Sequence, residues 1–569
     1  PKVPFLPTIP IGQIGKSCPL IEVYDMDRSL LTLWNTVPSG NIKQEEIATI
    51  IGFSTKQTKR YLQRWSSEGW IKFISGKGRG NSSQLTWLKN VEACFEEQVM
   101  QILEHESAEI SSKYLMFDWS TECRQRLMKK FQNKLGFEQQ INDKLIVPRK
   151  NPFLTLHPLK AADSHSANIV ATVYNRLVSV DENGVVSPEL CHSWDMTDSK
   201  LRLYLKKDIA FHDGSILTAE DVVYCLRKLK DDPQFRLLCE PIKQIEAITP
   251  LIVDITYPAG CSYCLQLLGS MNASIYKEHL DFVYGTGCYY VEENGPSITS
   301  LVAFKDFYGE RPLLDTIEFV QVPEDFENVY RTSSNQQTYF PIESDSGFGV
   351  VLISPQLDID QRHYLHYIIS KYRHEINTAD DRLLPNEEGY LIGISTPYEL
   401  HNIPRPKFKK PIILKLVKYT NKSSHWLKEI LTKNGIPVDI ITVSFKDNLL
   451  NRELNPKTDL YIHGEIFEMN QNYSFFHFLM NGYSPLATVL KGQKKYQNKL
   501  KEYAITPFEE WTALNKEIDR MLIEASLVCP LYYSKRHIPF SADLMNIKIK
   551  HFGFVDYSKL WVKPNIPLD

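Results

Sequence analysis

From Arg28 to Val37 the apolar residues Leu30, Leu31, Leu33, Trp34 and Val37 recur at helical spacing, and Pro38-Ser-Gly40 ends the run. Ile42, Ile47, Ile50 and Ile51 predict a second short helix, closed by a tight turn at Gly52-Phe53-Ser54. A third helix is predicted from about Thr55 to Gly69, with Ser54 as its cap. At roughly 100° per residue, Thr58, Tyr61, Leu62 and Trp65 share one side of that helix. Lys56, Lys59, Arg60 and Gln63 take the opposite side, with Gln57 and Arg64 on the flank. Two strand-like runs follow, 70–74 and 84–88. They flank Gly76-Lys77-Gly78-Arg79-Gly80-Asn81, a Gly-rich hairpin tip with two cations.

Two helices, a tight turn, a third helix with a basic solvent face and a cationic hairpin describe a winged helix-turn-helix over residues 26–90. The third helix is the one that would enter a DNA major groove, where Lys and Arg meet phosphates or guanine edges and Gln reads adenine. The expected contacts to double-stranded DNA are Ser54, Lys56, Gln57, Lys59, Arg60, Gln63 and Arg64, joined by Lys77 and Arg79 on the wing. Gly76-x-Gly78-x-Gly80 lacks the spacing of a nucleotide loop, and no helix follows it. Charge supports the polyanion reading. Residues 26–90 hold ten Lys and Arg against four acids, a net +6 within a chain whose formal charge is −3.

Residues 91–143 read as a helical connector, with one stripe of Val91, Phe95, Val99, Ile102 and Leu103 and another of Leu127, Phe131 and Leu135. From about Lys144 the pattern changes to alternating strands and helices with frequent turns. Here Leu203 to Val222 holds Phe211-His-Asp213-Gly214 and then Thr218-Ala219-Glu220-Asp221. Physically this is a strand, a tight turn and a helix started by a capping box. His212 and Asp213 read as turn residues rather than metal ligands. The whole stretch resembles the signature of the solute-binding proteins of peptide and nickel ABC transporters. Asn168–Asp181, Val186–Trp194, Gly285-Thr-Gly287-Cys288-Tyr289, Lys305–Asp315 and Leu522–Tyr533 resemble other parts of that family, with Cys288 where the family carries Pro. The resemblance spans about 145–569 and is weakest from 345 to 520. A basic winged helix in front of such a domain resembles the SgrR family of bacterial transcriptional regulators.

That resemblance implies a mixed α/β fold: a winged helix-turn-helix plus a two-lobed, periplasmic-binding-protein-like domain of type II, peptide-binding class. Lobe 1 would take about 144–345 and 525–569, and lobe 2 about 346–524. The function it implies is a cytoplasmic, ligand-responsive regulator that binds a sugar phosphate, a short peptide or a similar small molecule between the lobes. The competing function is a solute receptor of an ABC transporter, which would need export and has no use for a DNA module. Transport members often place an acid in the second lobe against a peptide's amino terminus, and Glu465 or Glu468 could stand in for it, with Asn470 nearby. An ordinary acidic surface loop is the other reading of that stretch. Arg176 is the cation placed to meet a phosphate ester. Tyr174 and Tyr289 are further cleft candidates, with core packing as their alternative.

The remaining composition narrows the picture little further. A length of 569 residues suggests roughly three to five structural units, and 27 Phe, 29 Tyr and 9 Trp supply ample core. No apolar run approaches the ~18 residues of a spanning helix, so no membrane partner is expected. Ten scattered cysteines lack the density of a disulfide scaffold, and Cys261-Ser-Tyr-Cys264 alone does not make a zinc site. No nucleophile triad, metal constellation or phosphate loop stands out, so neither an enzyme nor a cofactor is expected. Residues 1–25 read as an extension without an apolar signal core, and Met26 is a candidate natural start. One winged helix reads a half-site, so two copies on one DNA site fit this reading.

Overall fold

The computed structural model describes residues 26–76, 82–139, 143–280, 282–326, 339–386, 403–450, 457–468 and 470–563. These form two compact units. One comprises the chain up to Lys134 together with Gln321–Phe326, and the other holds Leu135–Val320 and the chain from Glu327 onward.

In the amino-terminal unit, α1 (Arg28–Thr36) is capped by Asp27, whose carboxylate accepts the Ser29 N–H at 2.9 Å. Its Leu30, Leu31 and Leu33 are fully buried. The chain then forms β1 (Gly40–Ile42), α2 (Gln44–Ile51), α3 (Thr55–Ser67), β2 (Ile71–Ile74) and β3 (Ser83–Trp87). Ile42 therefore lies in a strand and not in the second helix. The Pro38-Ser-Gly exit leaves the backbone extended, and β1 pairs antiparallel with β3, Ile42 opposite Ser83. The three strands order as β1-β3-β2. Gly52 supplies the left-handed φ of +69° that ends α2 and turns the chain into α3.

Three helices follow, α4 (Val91–His105), α5 (Ala108–Leu115) and α6 (Thr121–Phe131). Each begins at a side-chain cap: Asn90, Ser107 and Ser120 respectively. The α6 face is tied to α4 by a bidentate Arg126–Glu96 pair at 2.6 and 2.7 Å and by Lys130–Glu104 at 2.7 Å. Helix ends at Lys134 rather than running on to 143, because Gly136–Gln139 is β4, paired with β5 (Asp143–Arg149).

The larger unit is mixed α/β. A five-stranded sheet runs in the order 289–294, 298–303, 316–321, β5, β4. A four-stranded antiparallel sheet contains 191–196, 200–205, 244–249 and 252–256. Between the strand 200–205 and the helix Ala219–Asp231 lies the anticipated turn and capping box. The Thr218 N–H donates to the Asp221 carboxylate at 2.8 Å. A six-stranded sheet orders as 383–385, 528–541, 339–353, 460–465, 412–417, 438–443. Its last three strands are parallel and the rest antiparallel. One buried cluster gathers the first two sheets and one face of the six-stranded sheet, with Val350 and Leu352, and a separate one takes the alternating residues Val351 and Ile353 of its other face. The helices Gln471–Met480 and Trp511–Glu524 belong to the first cluster. There Phe476 and Trp511 pack on Tyr263 at centroid distances of 4.9 and 5.7 Å.

Candidate nucleic-acid interface and effector cleft

α3 begins with a reciprocal cap. Ser54 accepts from the Gln57 backbone N–H, and the Gln57 side-chain oxygen accepts from the Ser54 N–H at 3.1 Å and its hydroxyl at 2.9 Å. Thr58, Leu62 and Trp65 are buried to 2 % exposure or less, while Lys56, Lys59, Arg60 and Gln63 are exposed. Sequence periodicity had separated the same two faces. Arg64 turns inward. It pairs with Asp27, reaches Glu68 at 3.4 Å and lies 4.8 Å over the Tyr61 ring. Asp27 also accepts from the Trp65 indole N–H at 3.1 Å, so one carboxylate locks the start of α1 to the end of α3. Ser54 and Gln57 are held by the cap and Arg64 by Asp27, leaving Lys56, Lys59, Arg60 and Gln63 as the outward polar set. Lys77 and Arg79 lie outside the described residues. Exposed Lys72, on the outer face of β2, belongs with the basic surface. Its signal was the alternation in Ile71-Lys72-Phe73-Ile74.

In the larger unit, Tyr174 and Tyr289 are core residues. Their hydroxyls donate to the carbonyls of Val283 at 3.3 Å and Leu314 at 3.0 Å, and burial pushes both phenol pKa values up. Arg176 is 5 % exposed. Its Nε lies 3.4 Å from Glu189, and neither Nε nor Nη1 has a hydrogen-bond partner among the described residues. Glu189 in turn accepts from Asn175 at 2.8 Å, whose carbonyl oxygen accepts from Thr286 at 3.0 Å.

Glu468 and Asn470 reach residues far earlier in the larger unit, while Glu465 pairs within its own strand. Glu468 accepts the Met271 N–H at 3.3 Å. Asn470 caps the helix Gln471–Met480 and donates to the Glu182 carbonyl at 3.3 Å. Glu465 lies 2.8 Å from His463. Buried Tyr473 and half-buried His477 share this region. Burial holds the His477 pKa below its ordinary value, with Glu468 and Glu465 opposing that shift. His463, His477 and Tyr473 were not among the expected residues, although the four-residue spacing of Tyr473 and His477 puts them on one helical face. The acids and imidazoles thus lie together, His463 beside Glu465 and His477 within the influence of both glutamates.

His212 performs a different task from metal binding. One ring nitrogen accepts the Gly285 N–H at 3.2 Å and the other meets the Gly287 carbonyl at 3.0 Å, so the ring clamps the Gly-Thr-Gly turn. A Cβ at Gly287 would approach Thr172 O to 2.5 Å, which is why no side chain fits there. Among the described residues no group of three or more His, Cys, Asp or Glu could hold a metal ion, and no helix is long and apolar enough to cross a membrane.

Residues 30–140 match the family described as "Sugar transport-related sRNA regulator N-term", and residues 185–343 match "Bacterial extracellular solute-binding proteins, family 5 Middle". The HTH-type transcriptional regulator SgrR of Photorhabdus laumondii is 22% identical over 562 residues, covering 91% of this chain and 95% of that protein. Its namesake from Yersinia enterocolitica is 28% identical over 289 residues, 49% of this chain and 51% of that protein. This chain therefore spans about half of the Yersinia protein. Among solved structures, a dipeptide binding protein from Pseudoalteromonas in complex with Met-Leu superposes with a TM-score of 0.61 at 16% identity, over 74% of this chain and all of that one.

Proposed function

We propose that this chain, whose amino-terminal unit matches the SgrR amino-terminal family ahead of a match to family 5 solute-binding proteins, is an SgrR-type DNA-binding transcriptional regulator whose second unit senses a small molecule. The observation that carries the reading is α3. Its apolar face is spent on the core, its first turn is capped, and Lys56, Lys59, Arg60 and Gln63 stand outward in the position of a recognition helix. The relatives bear the name of transcriptional regulators, which fits a chain working in the cytoplasm, two copies to a palindromic site.

The effector is a small solute held where the two halves of the larger unit meet, beside Glu465, Glu468 and Asn470. Arg176 is a second contact for an anionic group. Tyr174 and Tyr289, whose hydroxyls are committed to core carbonyls, are left out of that site. Binding that favours one arrangement of the halves shifts a population between two states, and about 1–3 kcal/mol of coupling makes a usable switch.

Fluorescence anisotropy on duplex DNA from upstream of the protein's own coding sequence tests the DNA reading, wild type against Lys59→Ala/Arg60→Ala at several salt concentrations. Each phosphate contact contributes about 0.9 to the slope of log affinity against log salt, so the double variant should bind more weakly with a slope lower by about 2. Equal binding by both proteins would reject α3 as the recognition helix.

A further inference from the structure

The connector helices carry a surface that neither DNA binding nor effector binding uses. α4 holds four acids, Glu92, Glu96, Glu97 and Glu104, and no Lys or Arg. α6 holds four cations, Arg124, Arg126, Lys129 and Lys130, against the single acid Glu122. The two helices lie side by side and start at the same end. Ser120, the α6 cap, donates to Glu92 in the first turn of α4 through its backbone at 2.6 Å and its hydroxyl at 2.9 Å. Their inner faces are spent on the core. Val91, Phe95, Val99 and Leu103 of α4, and Cys123, Leu127 and Phe131 of α6, are buried to 2 % exposure or less.

Beside the Glu96–Arg126 and Glu104–Lys130 bridges, each helix turns a stripe outward. On α4 it is Ala93, Glu97, Met100 and Glu104, spaced by four, three and four residues. On α6 it is Glu122, Arg126 and Lys129, spaced by four and three. Such alternation of three and four is the spacing at which one helix packs along another. Glu97 and Lys129 are exposed, and neither has a hydrogen bond or ion pair among the described residues. The face is thus acidic along one edge and basic along the other, and each edge keeps a charge that the chain itself does not neutralise.

We infer that this face is where a second copy of the chain docks, α4 of one copy lying on α6 of the other about a two-fold axis. A two-fold interface uses the same patch on both copies, so the patch must be complementary to itself. One acidic helix beside one basic helix meets that condition. A two-fold axis running along the helices sets the acids of α4 against the cations of α6 twice over. An axis across them would lay α4 on α4 and oppose its acids to one another. The α4 acids exclude a polyanion as occupant, and a partner surface of either single sign would be repelled by one of the two helices. The inference deepens the reading of two copies on one DNA site. Its test uses no DNA, so recognition through Lys59 and Arg60 can fail or stand separately.

Sedimentation velocity on the full chain tests it. The wild type should form a reversible dimer that weakens as salt is raised, because the paired charges are exposed. Glu97→Lys and Lys129→Glu should each weaken dimerisation about 10-fold, since each turns two symmetry-related attractions, of the size of exposed ion pairs, into repulsions. Both changes in one chain restore opposite charges across the interface and should return the affinity to within about 2-fold of wild type. That recovery also shows that the variants fold. A chain that stays monomeric, a dimer indifferent to either single change, or a double variant no tighter than the singles would overturn the inference.

Discussion

Replacing His212 by Gln separates a titrating clamp from a static one. Burial lowers the His212 pKa from 6.5 to about 4, so the folded chain keeps the ring neutral while the unfolded chain accepts a proton near 6.5. Stability from this residue is complete above pH 6.5, falls as pH drops through the window from 6.5 to 4, and then levels off. The full loss is about 3 kcal/mol, and about 2 kcal/mol of it is reached by pH 5. A Gln amide can also accept from Gly285 and donate to Gly287, but it does not titrate. Urea unfolding at pH 7.5, 6 and 5 should show wild type losing about 2 kcal/mol more than His212→Gln over that range. Any repacking cost in the variant appears as an offset at every pH. His366 is also pushed down, to about 3, but it is present in both proteins and cancels in the difference. Parallel stability profiles would refute the buried, neutral clamp.

Asp27→Ala removes an N-cap and the acceptor for the Trp65 indole together. A thermal melt should report a loss of about 2–4 kcal/mol, and a change below about 0.5 kcal/mol would show that α1 and α3 are held by their apolar faces alone. Gly287→Ala drives a methyl into the backbone of Thr172 and Val173. It should cost about 1–3 kcal/mol or more, measured by urea midpoint, and no change would mean that the turn can move away from Val173.

The parts legible in the sequence are those written in local chemistry. The α3 faces follow from periodicity, its start from Ser54, and the Thr218–Asp221 box from its spacing. β1 escaped because three residues carry no periodicity, and pairing with β3, more than forty residues on, makes it a strand. The helical stripe through Leu135 failed for a related reason. Leu135 continues the period of Leu127 and Phe131, but Gly136 and the pairing with β5 convert the chain to strand immediately afterwards.

The site residues divide along the same line. Lys56, Lys59, Arg60 and Gln63 were readable because exposure on a helix is set within the helix. Arg64 was not, since its inward turn depends on Asp27, thirty-seven residues earlier. The larger unit repeats this at longer range. Tyr174 and Arg176 are two residues apart, yet Tyr174 spends its hydroxyl on Val283, while Arg176 is buried in an ion pair with Glu189 and its Nη1 has no hydrogen-bond partner among the described residues. Glu468 meets Met271 across nearly two hundred residues, and Phe326 meets Phe131 across a similar span. Neither pair has a local signature, because any apolar residue after a strand or any acid in a loop would read alike. The DNA contacts proposed for α3 therefore rest on short-range order that a sequence displays. Contacts such as Glu468–Met271 exist only after the chain has folded back on itself, and under the proposed function substitutions there should alter the response to an effector while leaving DNA affinity in its absence intact.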